Sequence, residues 1–165
     1  MSPPPLSIET LAARLPAKAR LIGVDLGDKT IGLALSDVER RVATPLTTIR
    51  RSRFAKDAEA LIAQIRAHEV FALVIGLPLS LDGAAGPRVQ STRAFARNFA
   101  ALDPIPVVYW DERMSTAAVQ RDLIANDVSR ARRAQVIDQM AAAYILQGAL
   151  DRLAGLARQA ASAAP

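Results

Sequence analysis

The sequence predicts one α/β domain in which a mixed five-stranded sheet carries helices on both faces. Three strand-like runs follow one another with tight connections between residues 20 and 49. After them the hydrophobic period changes from two to 3.6, and helical and strand-like segments alternate. The chain has 165 residues and a hydrophobic fraction of 51%, enough for a single core. An antiparallel meander followed by alternating elements predicts a mixed sheet.

Two flanking segments lack this regular pattern. Residues 1–19 combine a PPP start with a short apolar pattern that indicates one or two turns of helix, and we expect a partly flexible accessory arm. Residues 153–165 are rich in alanine, and we expect a flexible tail. The domain itself is therefore predicted at residues 20–152.

The first half of the domain is predicted to be a meander followed by a helix. The strands are RLIGVDL (20–26), TIGLALS (30–36) and VATPLTTI (42–49). A short Gly-Asp-Lys turn between the first two indicates antiparallel pairing. Residues 54–65 then carry one apolar stripe at helical spacing, with most of their charges elsewhere, which predicts an amphipathic helix.

Strands and helices alternate in the second half. The run VFALVIG (70–76) is short and apolar throughout, as in a strand covered on both faces. A helix is expected to begin at Pro87, and PVVYW (106–110) predicts the fifth strand. The segment STAAVQRDLIA predicts another helix, capped by Ser115. The last helix, at 131–153, is apolar nearly all round in its middle and is expected to be buried.

Composition excludes several kinds of site. Without cysteine there is no disulfide, thiolate zinc site or cysteine nucleophile, and the single histidine, His68, excludes a multi-histidine metal site. We expect His68 to be a capping or surface residue. The net charge of +5 suits a partner such as nucleic acid, although a soluble basic surface has the same charge. With no signal sequence and no apolar run of about 18 residues, we expect a cytoplasmic protein without a membrane partner.

Three carboxylates lie where a charge is costly. Asp25 is inside the first strand, Glu112 follows the fifth, and Asp138 is early in the buried helix. Each costs several kcal/mol unless it is paired or binds a cation, and oxygen ligands suit Mg²⁺ or Mn²⁺. Ordinary explanations exist as well: a turn former, half of an ion pair with Arg113, and a helix-dipole partner, respectively. Asp111 competes with Glu112, because successive strand residues point to opposite faces and spacing does not choose between them.

The surroundings of these acids also suggest a site. Gly23 and Gly27 flank Asp25, and we interpret them as clearance for a substrate backbone. The loop GLPLSLDGAAGP (76–87) leaves the end of a buried strand, where ligand sites of α/β sheets commonly lie, and is long for a plain connection.

Basic residues could hold phosphates here or form a solvated basic face. Arg97 and Arg130 belong to the same basic group. The candidate nucleic-acid contacts are Lys29, Arg88, Arg93, Arg113, Arg132 and Arg133.

Five motifs carry a resemblance to a known family. They are GVDLGDKTIGLALSD, VIGLPLSLDG, RAFARNF, VVYWDERMST and VIDQMAAAYIL. In this order and approximate spacing they resemble the YqgF family of pre-16S ribosomal RNA nucleases, relatives of bacterial Holliday-junction resolvases with a ribonuclease H-like fold. The resemblance covers about Leu21 to Leu150. It departs at Ser80, where many relatives have asparagine, and at ARRAQVI, where they are rich in lysine.

The resemblance implies a site and an activity. Asp25, Glu112 and Asp138 would form an acidic triad that binds Mg²⁺ or Mn²⁺, with the GLPLSLDG loop and Arg113 beside the substrate. The activity would be metal-dependent hydrolysis of RNA phosphodiester bonds in 5′-end maturation of pre-16S ribosomal RNA. The protein would bind this RNA either free or within a ribosomal precursor particle.

Three alternatives remain open. One is a resolvase that cuts branched DNA as a symmetric dimer, so that both a monomer and a homodimer are compatible with the sequence. Another is a non-catalytic RNA-binding or transcription-associated factor. The third is an actin-like ATPase or sugar kinase, whose glycine-rich hairpin also cradles phosphate, but those proteins need two such domains and this chain has length for one.

Overall fold

The computed structural model describes residues 4–80, 82–114 and 130–163, and for residues 130–136 it describes the backbone only. The helix predicted to be capped by Ser115 lies outside the described residues.

The five predicted strands form one sheet. Its strand order is β3-β2-β1-β4-β5. β1 pairs antiparallel with β2 and parallel with β4, β2 pairs antiparallel with β3, and β4 pairs parallel with β5. The predicted mixed sheet is therefore confirmed. The strands are β1 Arg20–Leu26, β2 Thr30–Ser36, β3 Ala43–Arg50, β4 Val70–Leu77 and β5 Val107–Asp111.

Helices cover both faces of this sheet. α2 and α3 share a hydrophobic cluster with one face, to which they contribute Leu61 and Phe99 among others. α1 and α4 pack on the other face through residues such as Leu11 and Leu146. Among the described residues, no helix is both long and apolar enough to cross a membrane. The helices are α1 Ile8–Arg14, α2 Phe54–Ala67, α3 Pro87–Leu102 and α4 Arg130–Ala163, and a 3₁₀ turn spans Glu112–Met114.

Helix α4 lies directly on the backbone of β1. A Cβ atom at Gly23 would be 2.6 Å from the Ala142 carbonyl oxygen and 2.7 Å from Leu146 Cβ. The space at Gly23 is thus filled by a helix, and our interpretation of this glycine as clearance for substrate is wrong. Gly27 is also confined, since its Cβ would be 3.0 Å from the Thr30 carbonyl oxygen in the β1–β2 turn.

The two ends of the chain carry ordered helices. Leu11 of α1 is fully buried, and the Leu6 amide donates to the Val107 carbonyl at 2.8 Å, which attaches the N-terminal segment to the β5 edge. α4 continues to Ala163, beyond residue 153 where we expected a flexible tail, because alanine favours helix. The division into an arm, a domain at 20–152 and a tail stays a prediction.

Candidate active site

Asp25 is the penultimate residue of β1 and is almost completely buried, with 4% of its surface exposed. It lies two residues after Gly23, so both positions face α4. Its cross-strand partner on β2 is Gly32. Directly paired residues of neighbouring strands face the same side of the sheet, so Gly32 also faces α4. Asp25 therefore stands at the end of the central strand, beneath α4, and is flanked on β2 by a residue without a side chain.

Asp138 occupies the space above Gly32. A Cβ atom at Gly32 would be 2.9 Å from Asp138 Cβ and closer still to the Asp138 backbone. The third turn of α4 is thus pressed onto the strand position next to Asp25. The Asp138 carboxylate accepts a hydrogen bond through Oδ2 from the Thr30 hydroxyl.

Glu112 approaches from the opposite side of Asp25. It begins the 3₁₀ turn after β5, and its Oε1 is 3.2 Å from where a Cβ would stand at Gly76. Val24 pairs with Ile75 across β1 and β4, and continuing this register places Gly76 beside Asp25. Three acids that are distant in sequence therefore lie at one edge of the sheet. Asp138 is on the β2 side of Asp25, and Glu112 is on the β4 side.

Asp111 points away from this edge. Trp110 packs on Gly148 of α4, at 3.0 Å from a Cβ built there, so the next residue along β5 faces the other way. Its carboxylate binds Arg113, with Nη2 at 2.5 Å from Oδ2 and Nε at 3.0 Å from both oxygens. The hydrogen bond from Arg113 lowers the pKa of Asp111 below its ordinary value. The choice that spacing left open is settled in geometry: Glu112 shares the face of Asp25.

The donor set suits a hard divalent cation. All three side chains offer carboxylate oxygens, which Mg²⁺ and Mn²⁺ prefer. Across the described ranges, however, no three acidic or histidine side chains are already grouped as metal ligands. Asp138 is hydrogen-bonded to Thr30, and Glu112 lies over Gly76. The residues fit such an ion in chemical type and in their placement at one edge, while their carboxylates are oriented by protein neighbours.

The loop after β4 is an internally bonded turn connected to Arg113. The Ser80 hydroxyl donates to the Asp82 carboxylate and lowers the pKa of Asp82. The Gly83 amide donates to the Ser80 carbonyl at 2.8 Å, and Gly83 has a φ of 84°, a left-handed conformation that favours glycine. Arg113 Nη1 lies 3.5 Å from the Ser80 carbonyl oxygen, so Arg113 links this loop to the end of β5.

The predicted basic contacts are spread over several places. Lys29 is exposed in the β1–β2 turn, at the same sheet edge as Asp25, and lines a groove of about 450 Å³ with Arg50 and Ser52. Arg88 is exposed in the first turn of α3. Arg93 acts on the partly buried Tyr109, whose pKa is raised by burial and lowered in part by Arg93. Arg93 belongs to α3, which packs on the sheet face opposite α4 and therefore lies away from the three acids.

The other predicted positions are less informative. Arg132 and Arg133 lie in the first turn of α4, and their side chains fall outside the described residues. His68 is the C-cap residue of α2, as expected of a helix-end residue.

Sequence reasoning missed Thr30, Gly32 and Gly76 as parts of this site. A signal was present, because glycine inside a strand often marks a close approach of another backbone.

Comparison with known proteins identifies relatives over most of the chain. Residues 19–152 match the family model RuvX, described as Holliday junction resolvase. A Beijerinckia indica protein named "Putative pre-16S rRNA nuclease" is 64% identical over 149 residues, covering 90% of each chain. A Paracoccus denitrificans protein of the same name is 56% identical over 152 residues, covering 92% of this chain and 96% of its own. The predicted family resemblance is confirmed.

Two solved structures with a similar fold are Holliday junction resolvases. Thermus thermophilus RuvC in complex with a Holliday junction substrate has a TM-score of 0.54 at 14% identity, covering 82% of this chain and 96% of its own. The yeast mitochondrial Holliday junction resolvase Ydc2 has a TM-score of 0.50 at 13% identity, covering 91% and 86%. At these identities the likeness concerns the fold, and the predicted ribonuclease H-like architecture is confirmed.

Proposed function

This chain belongs to the RuvX family, and we propose that it is a divalent-metal-dependent nuclease that hydrolyses RNA phosphodiester bonds in 5′-end maturation of pre-16S ribosomal RNA. The observation that supports the proposal is the position of Asp138 over Gly32 and of Glu112 over Gly76, the strand positions on either side of Asp25. The names of relatives up to 64% identical support the RNA substrate. Such a substrate implies action in the cytoplasm.

In this proposal the three carboxylates hold Mg²⁺ or Mn²⁺. Bound ions of this kind activate a water and stabilise the leaving oxygen of a phosphodiester. Asp25 supplies an oxygen donor from the end of the central strand, where its backbone pairs with Gly32 of β2. Glu112 and Asp138 add donors from elements that pack over Gly76 and Gly32. Among the described residues, no histidine lies at this edge to serve as a general base.

Basic groups around the acids are proposed to hold the nucleic-acid backbone. Lys29 is exposed at the same edge, and Arg113 follows Glu112 directly. The guanidinium of Arg113 binds a carboxylate through two of its nitrogens, the same fork geometry that it would present to a phosphate. A phosphate at this point would compete with Asp111 for Arg113.

Cleavage of RNA that carries the immature 5′ end of small-subunit ribosomal RNA tests the proposal. With Mg²⁺ or Mn²⁺, wild type should cut this RNA. The cleavage rate of Asp25→Asn should be lower by more than about 100-fold, which exceeds the 10- to 100-fold loss typical of residues that only support a metal ligand. The matched control is Asp151→Asn, an exposed acid of α4 hydrogen-bonded to Gln147, which should cut as wild type does. The proposal fails if wild type cuts neither RNA nor branched DNA with either metal, or if Asp25→Asn retains full activity.

A second candidate is a resolvase acting on branched DNA, favoured by the description of the family and by the RuvC-like fold. It requires two related cuts and therefore a symmetric dimer. Paired symmetric cuts in a four-way junction by a dimeric species would favour it over RNA maturation. A non-catalytic RNA-binding factor would instead show salt-dependent RNA binding that is insensitive to metal and to the three acids.

A further inference from the structure

Thr30 is held firmly at the start of β2. Its carbonyl accepts a hydrogen bond from the Gly27 amide at 2.9 Å, which closes the β1–β2 turn, and its Cα pairs with Arg50 of β3. Its side chain is β-branched, so few rotamers are open to it. The hydroxyl is therefore a donor in a nearly fixed place.

This donor reaches across to Asp138, which lies 108 residues later in the chain. The backbone of Asp138 already contacts Gly32 so closely that a Cβ atom there would overlap it. It therefore cannot move nearer to the sheet. The freedom that remains to Asp138 is rotation of its carboxylate. The hydrogen bond from Thr30 to Oδ2 restricts that rotation and leaves Oδ1 as the less constrained oxygen.

We propose that Thr30 is a positioning residue that sets the orientation of the Asp138 carboxylate for binding a divalent cation. The inference rests on the proposed function of the three acids. Thr30 contacts neither the ion nor the RNA; it acts through Asp138. Hydrogen bonds of this kind to a ligating side chain typically change metal affinity or activity 10- to 100-fold when they are removed.

Two substitutions separate the hydroxyl from the shape of the side chain. Thr30→Val keeps the branched shape and removes the donor, whereas Thr30→Ser keeps the donor. Thr44→Val, on the exposed part of β3, is the control for loss of a strand threonine. Mn²⁺ affinity is measured by titration calorimetry on the protein without RNA. The Mn²⁺ concentration for half-maximal RNA cleavage and the thermal unfolding midpoint are measured on the same samples.

Thr30→Val should weaken Mn²⁺ binding and raise the half-maximal Mn²⁺ concentration by about 10-fold or more. Thr30→Ser and Thr44→Val should stay within about threefold of wild type, and RNA affinity without metal should not change. If Thr30→Val does not fold, Thr30→Ala replaces it in the same measurements.

The outcomes distinguish this inference from the function it rests on. If wild type binds Mn²⁺ and cuts RNA while the folded donor-less variant matches it, the positioning role is overturned and the nuclease stands. Tighter Mn²⁺ binding by that variant also overturns it, since Thr30 would then hold Asp138 away from the ion. Wild type that neither binds Mn²⁺ nor cuts nucleic acid overturns both.

Discussion

Asp111 and Glu112 are neighbours with the same kind of side chain, yet they have different surroundings. Asp111 ends β5 on the face away from α4 and is bound by Arg113. Glu112 begins a 3₁₀ turn and lies over Gly76, beside Asp25. Two adjacent residues therefore have different roles: Asp111 orients Arg113, whereas Glu112 is a candidate metal ligand.

These two acids should therefore respond differently to loss of charge. Glu112→Gln should reduce RNA cleavage more than about 100-fold, because a candidate ligand loses its anionic oxygen. Asp111→Asn should cost no more than about 10-fold and should act mainly through KM, since it frees Arg113 without touching the acid edge. Single-turnover and steady-state cleavage assays would check this. Equal losses in both variants, or full activity of Glu112→Gln, would refute the assignment.

At the scale of elements, the contact between α4 and the sheet is made possible by glycines. Gly23, Gly32 and Gly76 on the sheet and Gly148 on the helix all lie where a Cβ would come within about 3 Å of the other partner. This close approach lowers Asp138 onto the sheet next to Asp25. The same glycines therefore serve the packing and the site.

Gly32→Ala should destabilise the protein by about 1–3 kcal/mol, because the added methyl group overlaps the Asp138 backbone and forces α4 outward. Gly86→Ala is the matched control, since a Cβ there meets nothing within 4 Å. Gly86 is the N-cap residue of α3, where alanine is less favourable than glycine, so this substitution should lower the free energy of unfolding by no more than about 1 kcal/mol. Urea denaturation followed by circular dichroism measures both. A Gly32→Ala protein as stable as Gly86→Ala would contradict the tight packing of α4.

On the scale of the whole molecule, the N-terminal segment is integrated with the domain that follows. Leu11 of α1 is fully buried in the cluster formed with α4 and β5, and Arg152 of α4 lies 3.6 Å from Glu9. The exposed ion pair adds little, so the apolar contact dominates. Helix α1 is thus placed to stabilise α4, the helix that carries Asp138.

Leu11→Ala should cost about 2–5 kcal/mol, as expected for a buried leucine replaced by alanine. Leu102→Ala, at a position 57% exposed, should cost less than about 0.5 kcal/mol. The free energy of unfolding in urea compares the two. If Leu11→Ala is as mild as the control, α1 adds little to the stability of the domain, which would agree with the partly flexible accessory arm predicted from the sequence.

Local patterning was sufficient to predict most of the fold. Apolar periodicity and turn residues located all five strands and the helices that begin at Phe54 and Pro87, because these signals arise within a few neighbouring residues. It also identified Asp25 as a costly charge. Helix α4, which packs over Asp25, was predicted from its apolar middle, although its extension to Ala163 was not expected.

Sequence by itself thus determined the order of elements, the family and the three candidate acids. Only the tertiary structure decided that Glu112 and not Asp111 shares the face of Asp25, that Gly23 makes room for a helix, and that Thr30 binds Asp138. The physical reason is distance along the chain. These contacts join residues that are far apart in the chain, 108 positions in the case of Thr30 and Asp138, and their geometry depends on how α4 packs across the sheet, which no local pattern specifies.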